Sequence, residues 1–503
     1  MRRHERPPAE GIALLSAMLV LSALAQGGES AMNDTRPPQP AERVPLSTAH
    51  AQLYAPGKAL RPEGPIRLGR GPHLFLDDFL IESCEGLTRK VNVPQRDASI
   101  PNPLVTGKED GCFQPYMTVL RDAATGRFRL WYGCRREDRS MMASHVGYLE
   151  SGDGIRWLRP HRVLRDPAPI QFGASVVDEG AGHADPTKRF KLGWWHGGGL
   201  RVAASPDGLA WTPLAPGVVL PHNHDITSIF RDPLRGRYVA TVSVYIEGPW
   251  KGRRRVTMQS TSDDLVTWAT PHHVLVPDLQ LDEGEVQFYA MDGFLARGGL
   301  LVGMVKVLRD DLKADAPPDP PNQYGIGYTT LAWTRDGKTW VRDRSPFFDR
   351  DPRKGAWDHA HAWIDEQLPV GDQVHLYYGG YARGHKVNRF EERQIGLVRM
   401  PRDRYVAREA GERPGCLVTP PVVLDADEMT LNVAAKGGEA RVELRDEAGK
   451  PLPGLSWQDC APITEDRLAA AVAWKQPLRS VRGRIIRLAF SLRNARLFAF
   501  DLR

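Results

Sequence analysis

The sequence predicts an all-β protein: a five-bladed β-propeller followed by a small C-terminal β-sandwich. Three observations point there. A short turn motif recurs, as Ser151-Gly-Asp153-Gly154-Ile-Arg-Trp157, Ser205-Pro-Asp207-Gly208-Leu-Ala-Trp211, Ser262-Asp-Asp264-Leu-Val-Thr-Trp268 and Thr334-Arg-Asp336-Gly337-Lys-Thr-Trp340. Recurrence at such spacing means stacked copies of one supersecondary unit. Around these turns a strand, a tight turn and an aromatic-rich second strand repeat five times, with no pattern for a long helix. After Gly411 the repeat stops, and shorter alternating strands take over.

Each element has its own signal. Arg2, Arg3 and Arg6, the apolar run Gly11 to Leu24 and the Ala23-Leu-Ala25 site make 1–25 a secretory signal. The segment 26–70, rich in Pro, Ala and Gly, is expected to be a tether with little structure. The propeller is expected over 71–410. Its second strands begin at Phe128, Phe190, Tyr238, Leu300 and Val374, each behind a turn such as Asp122-Ala-Ala-Thr-Gly126 or Asp232-Pro-Leu-Arg-Gly236. In the recurring turn, Asp accepts backbone N–H groups, Gly supplies positive φ and Ser or Thr ties the start. The Trp presents a large apolar face to a neighbouring unit. The sandwich is expected over 411–503, with strands at Thr430 to Val433, Glu439 to Leu444, Leu468 to Trp474 and Ile485 to Leu492.

Composition limits the function. The chain has 503 residues, a formal charge of +6 and 25% charged residues. That balance is mild, and the one basic knot, Arg253-Arg254-Arg255, reads as a solvated loop, so no nucleic-acid partner is expected. No later stretch has the length of a membrane span, and the mature protein is expected to be secreted or periplasmic. Five cysteines, Cys84, Cys112, Cys134, Cys416 and Cys460, include no C-x-x-C pair. A zinc or thioredoxin-like site is therefore not expected. Cys112 with Cys134, or Cys416 with Cys460, could bridge in an oxidising compartment.

In a propeller the first strand of each blade lines the central channel. Counting back from the second strands puts Phe113, Ala174, Asp225, Glu285 and Asp358 at equivalent inner positions. Three are acidic and should converge at one mouth. Gathered carboxylates repel, so one holds a proton at neutral pH, and an acid paired with a base or nucleophile is what glycosidic bond hydrolysis needs. Glu285, Asp225 and Asp358 are the catalytic candidates. Trp195, His196 and Trp357 are candidate sugar-stacking residues, and His222, His224, His359 and His361 flank the acidic positions. Glu283 competes with Glu285, because strand alternation points both to one face. Arg231 could orient a neighbouring acid, and Glu109 or Asp110 could supply a first-blade carboxylate.

These features together resemble the five-bladed propeller glycoside hydrolases of families 43, 32 and 68 and their relatives. The resemblance covers about Gly71 to Arg408. It rests on the recurring turns, on Phe230-Arg-Asp-Pro233, on Glu283-Gly-Glu285 and on Trp357-Asp358. It implies an exported glycosidase acting on plant or algal oligo- or polysaccharides, with Glu285 as acid and Asp225 or Asp358 as base or nucleophile. It requires no cofactor and admits a structural calcium ion. Phe113 departs from the pattern, since these families carry a carboxylate on the first blade. Two other readings stand beside this one: a non-catalytic carbohydrate-binding propeller, and a glycoside phosphorylase using His222, His224 and Arg231 toward phosphate.

Overall fold

The computed structural model describes residues 60–136, 144–167, 170–314 and 325–503. The expected signal segment and most of the expected tether lie outside these residues. No helix among the described residues is long and apolar enough to cross a membrane.

The described chain is almost wholly β. Five antiparallel meanders follow one another. The first runs through Cys112–Arg121, Phe128–Arg135, Ser144–Ser151 and Arg162–Leu164. The second runs through Phe172–Asp178, Phe190–Trp195, Gly199–Ser205 and Thr212–Pro213. The third comprises Thr227–Asp232, Arg237–Glu247, Arg253–Ser262 and His272–Leu275. The fourth comprises Val286–Arg297, Leu300–Arg309, Ile326–Thr334 and Val341–Arg342. The fifth has His361–Val370, Gln373–Tyr381 and Arg393–Pro401. Its outer edge is closed by chain that precedes the first meander: Gln95 and Val105 bridge Arg399 and Ile395. The Asn102 amide also exchanges hydrogen bonds with the Leu397 backbone at 2.8 Å in both directions.

The first strands contact one another in a cycle, each meander's with the next and the fifth's with the first. Apolar clusters fill the wedges between neighbours. One joins Leu130, Tyr132 and Trp157 to Tyr377 and Leu397, and another joins Trp131 and Tyr148 to Leu192 and Trp211.

The recurring turns explain how neighbours lock. In all four, the Ser or Thr hydroxyl lies 3.0 Å from the Asp carboxylate and accepts the N–H three residues on at 2.9 Å. The Asp then accepts the next two N–H groups. Three of the turns hydrogen-bond to the preceding meander. Tyr377 Oη donates to the Gly154 carbonyl at 2.8 Å, Trp131 Nε1 to that of Gly208 at 2.8 Å, and Trp340 Nε1 to Gln259 at 2.9 Å. The third copy holds Leu265 at φ 68 where the others have Gly, a strained position for a residue with a Cβ.

The remaining strands form two sheets around one apolar cluster that includes Phe75, Leu417, Val442, Phe490 and Phe500. Here the structure differs from the sequence-based boundaries. Ile66–Leu68, inside the expected tether, pairs in parallel with Val422–Leu424. Gly71–Leu74, Ser83–Glu85 and Thr88–Val91, expected within the propeller, pair with Ala495–Leu502, Gly415–Val418 and Val406–Ala410. These short strands hydrogen-bond to partners more than 300 residues away in sequence, and local pattern carries no trace of such pairing.

Candidate functional site

At the start of the inner strands an aromatic cluster fills the centre of the cycle: Tyr116, Tyr289, Trp363 and Tyr381 with Ile226, Ala290 and Leu308. Tyr289 stacks on Trp363 at 4.8 Å. Its hydroxyl meets Tyr116 Oη at 3.2 Å and His385 Nε2 at 2.8 Å.

Polar groups from three meanders gather on this floor. Asp225 precedes the third inner strand and is half-buried. Its Oδ1 has no hydrogen-bond donor among the described residues. Burial raises the pKa of Asp225, and the cations Arg255, Arg389 and Lys386 oppose that rise. Arg255, on the third meander, donates from Nε to His224 Nε2 at 3.1 Å and from Nη1 to Gln287 Oε1 at 2.8 Å. It also lies over the Tyr245 and Tyr289 rings at 4.7 and 5.2 Å. Gln287 in turn donates to Asp310 at 3.0 Å. Asp310 directly follows the fourth meander's second strand, and burial raises its pKa, with Glu285 adding to the rise. Burial and Arg255 hold both His224 and His385 well below the usual histidine range, so both are neutral.

A loop from the fifth meander closes one side and brings His385, Lys386 and Arg389. Arg393 holds it by donating to the His385 carbonyl at 3.0 Å and to the Phe113 carbonyl at 3.1 Å. Phe113 stacks on Phe390 at 4.9 Å. The inner position of the first meander thus carries a support for this loop rather than a carboxylate.

The sequence-predicted residues divide clearly. Asp225, His222, His224 and His361 belong to the cluster. His361 is fully buried against Trp363 and Tyr381, at 4.6 and 4.9 Å, with neither ring nitrogen hydrogen-bonded among the described residues. Burial keeps it neutral. Trp195 reaches the rim through its contacts with Phe172 and His222, but it is 6% exposed and offers no open stacking face. His196 is half-buried beside it, with a pKa lowered by burial.

Glu285 lies at the lip and is exposed. Glu283 is also exposed. The two were expected on one face of a strand, but the strand starts only at Val286, and Gly284 between them takes φ 65.

Asp358 is not in the cluster. It is 1% exposed, accepts from Arg96 at 2.6 and 3.0 Å and from Tyr378 Oη at 3.1 Å. Trp357 packs on Tyr378 at 5.2 Å, over the face of the fifth meander. His359 is buried, its Nδ1 2.8 Å from the Asp351 carbonyl. Arg231 lies over the Tyr238 ring at 4.7 Å. It is six residues along the inner strand from Asp225, or about 20 Å at strand rise. Glu109 is exposed, and Asp110 is buried in an ion pair with Arg159 at 2.6 Å. Counting from second strands misplaced these groups because the inner strands start at different offsets and four of them break register with their second strands.

Sequence reasoning missed Asp310, Arg255, Tyr289, His385 and Arg389. Asp310 follows a second strand, Arg255 sits on a third strand, and the others lie on an aromatic floor and a long loop. Among the described residues no group of three His, Cys, Asp or Glu side chains is arranged to hold a metal ion.

No protein-family model matches the sequence, and no curated protein matches it. Several solved structures are similar. A glycosyl hydrolase from Bacteroides ovatus has a TM-score of 0.40 at 14% identity, over 63% of this chain and 95% of that one. An N-acetylgalactosamine deacetylase from F. plautii, solved with blood group B trisaccharide, has 0.40 at 15%, over 65% and 96%. A structure reported for the GH130 family of mannoside phosphorylases, which contains glycoside hydrolases targeting beta-1,2 mannosidic linkages, has 0.39 at 15%, over 66% and 97%. Similarity at this level leaves the chemistry to be argued from the cluster itself.

Proposed function

We propose that the chain is an exported glycoside hydrolase, with the five meanders as blades of a propeller and the two further sheets as a sandwich. The observation that carries this reading is the state of Asp225. A carboxyl with a burial-raised pKa and an unpartnered oxygen can hold a proton and give it to a leaving glycosidic oxygen. Asp225 therefore takes the acid role, which the sequence reading gave to Glu285.

Glu285, exposed at the lip, and Asp310, beside it in the field, are the carboxylates available to activate water or attack the sugar. Asp310 replaces Asp358 in this role, because Arg96 and Tyr378 occupy the Asp358 carboxylate. Tyr245, half-buried, stands beside the acid with Arg255 over its ring, and Arg255 fixes the neutral tautomer of His224. The apolar segment at 1–25, with its Ala23-Leu-Ala25 site, supports export.

The glycoside phosphorylase reading also has an observation in its favour. Arg255, Lys386 and Arg389 act on Asp225 together, and three cations around one acid would suit an incoming phosphate. One experiment separates these readings and the binding-module reading. Purified protein is assayed on a panel of polysaccharides and aryl glycosides with and without phosphate, beside Asp225→Asn. Phosphate-independent turnover, lowered about 100-fold or more in the variant, is expected of the hydrolase. Turnover that requires phosphate identifies a phosphorylase. Glycan binding without turnover in either protein overturns the catalytic proposal.

A further inference from the structure

We infer that Cys112 and Cys134 form a cross-strand disulfide when the chain folds with a low-molecular-weight disulfide present. The two residues are direct register partners on the first two strands of the first meander. The hydrogen bonds around them fix which kind of partner they are. Arg135 N donates to the Gly111 carbonyl at 2.8 Å, a bond between the residues just outside the pair. Cys112 N donates at 3.3 Å to the Thr106 carbonyl and so does not close a ring with Cys134. This is the pattern of a non-hydrogen-bonded antiparallel pair, whose Cα atoms stand about 4.5 Å apart with side chains on one face. A disulfide needs a Cα separation of roughly 4.4 to 6.8 Å.

The surroundings support closure. Both thiols are buried, at 0% and 1% exposure, in the cluster that joins the first and fifth meanders. The adjoining pair is tightly approached, since a Cβ on Gly133 would stand 2.8 Å from Gln114 Cβ. The other cysteines are placed differently. Cys84 opposes Leu417 while Cys416 opposes Glu85. That one-residue offset points their side chains to opposite faces. Cys460 lies in the C-terminal sheets, its sulfur 3.4 Å from Val442 N and from the Ala461 carbonyl.

The bond would pin an irregular stretch of the inner cycle. Register breaks fall between Cys112 and Gln114 and again between Gln114 and Met117. The intervening Phe113 carries the stacking contact and the carbonyl that hold the loop of His385 and Arg389. Burial pushes the Cys112 thiol well above its ordinary pKa, so exchange is slow once the fold has closed. The chemistry therefore belongs to the open hairpin. One cysteine thiolate attacks oxidised glutathione and releases a glutathione thiolate. The second cysteine thiolate then displaces the other glutathione. Two electrons pass from the cysteines to the oxidant, which leaves as two reduced glutathione molecules.

The test uses the full chain, reduced, unfolded and refolded in a glutathione redox buffer. The monodisperse folded fraction is then denatured in alkylating reagent without reductant. Of the five cysteines, three are expected to take the label, and a tryptic digest should contain the Cys112 and Cys134 peptides joined. Prior reduction should release both for labelling. A Cys112→Ser/Cys134→Ser variant should label at three cysteines with or without reductant. Five labelled cysteines in the unreduced wild type, or a cross-link between any other pair, would overturn the inference.

Discussion

Asp225 Oδ1 stands 3.1 Å from His224 Nε2, the nitrogen that already accepts a hydrogen bond from Arg255 Nε. Two acceptor atoms at that separation are best accommodated when the carboxyl carries a proton. Arg255 therefore has two opposed effects. It keeps His224 neutral with its proton on Nδ1, and its positive charge draws the Asp225 pKa down from where burial alone would set it.

This arrangement predicts the behaviour of Arg255→Gln. Losing the cation should raise the Asp225 pKa further, so the alkaline limb of kcat/KM should move to higher pH. A pH–rate profile of both proteins checks this. The same variant should lose stability, because Gln287 and Asp310 lose a buried partner. Thermal denaturation at one pH reads that loss separately.

Asp358 is predicted to be structural. Its side chain is 2% exposed and bound by Arg96. Removing one partner of a buried ion pair typically costs about 3–5 kcal/mol. Arg96 is itself 31% exposed, so about half that figure is expected for Arg96→Met. Urea unfolding measures it. Activity per folded molecule should stay within about twofold of wild type in Asp358→Asn, whereas a catalytic Asp358 would lose about 100-fold or more.

A second cluster lies deeper among the inner strands. Lys306 is bound to Asp292 at 2.8 Å and to Asp365, with Glu366 next to them. One cation cannot balance three carboxylates. Burial pushes Asp365 and Glu366 each up to about 8; Lys306 opposes the rise at Asp365, and the neighbouring carboxylates add to it. A carboxyl with a raised folded-state pKa binds its proton more tightly in the fold than in the unfolded chain. Its contribution is complete below the ordinary carboxylate pKa of about 4 and is lost progressively as pH rises to about 8. Tm should therefore fall between pH 5 and 8 and flatten above. Glu366→Gln should make that slope shallower.

Gly284 is predicted to be favoured as glycine. It takes φ 65, and a Cβ there would collide with the Arg309–Asp311 ion pair. Gly284→Ala should cost about 1–3 kcal/mol by urea unfolding. It should also lower activity by displacing Glu285.

Much of this architecture is legible in the sequence because it is local. The Ser-x-Asp-Gly-x-x-Trp turns announce themselves, since each hydroxyl and carboxylate bonds backbone within five residues. Each such turn implies a meander before it. Asp225 is legible for a related reason: it lies two residues before a strand whose alternation is regular. The surroundings of Asp358 and Glu283 are not legible, because spacing alone cannot reveal a partner such as Arg96 or a turn at Gly284. Arg255 looked like part of a solvated basic knot, yet its strand turns it inward, 8% exposed, beneath Tyr245. Ile66–Leu68 and Gly71–Leu74 pair across the whole length of the chain, and nothing in their own residues names the partner.

The most direct test of the central claim compares Asp225→Asn with wild type on two substrates of one sugar. One has a poor alcohol leaving group and the other an activated nitrophenol. If Asp225 is the acid, kcat/KM should fall about 100-fold or more on the first substrate and far less on the second, which needs no protonation. An equal fall on both, or none on either, would contradict the assignment of Asp225 as the proton donor.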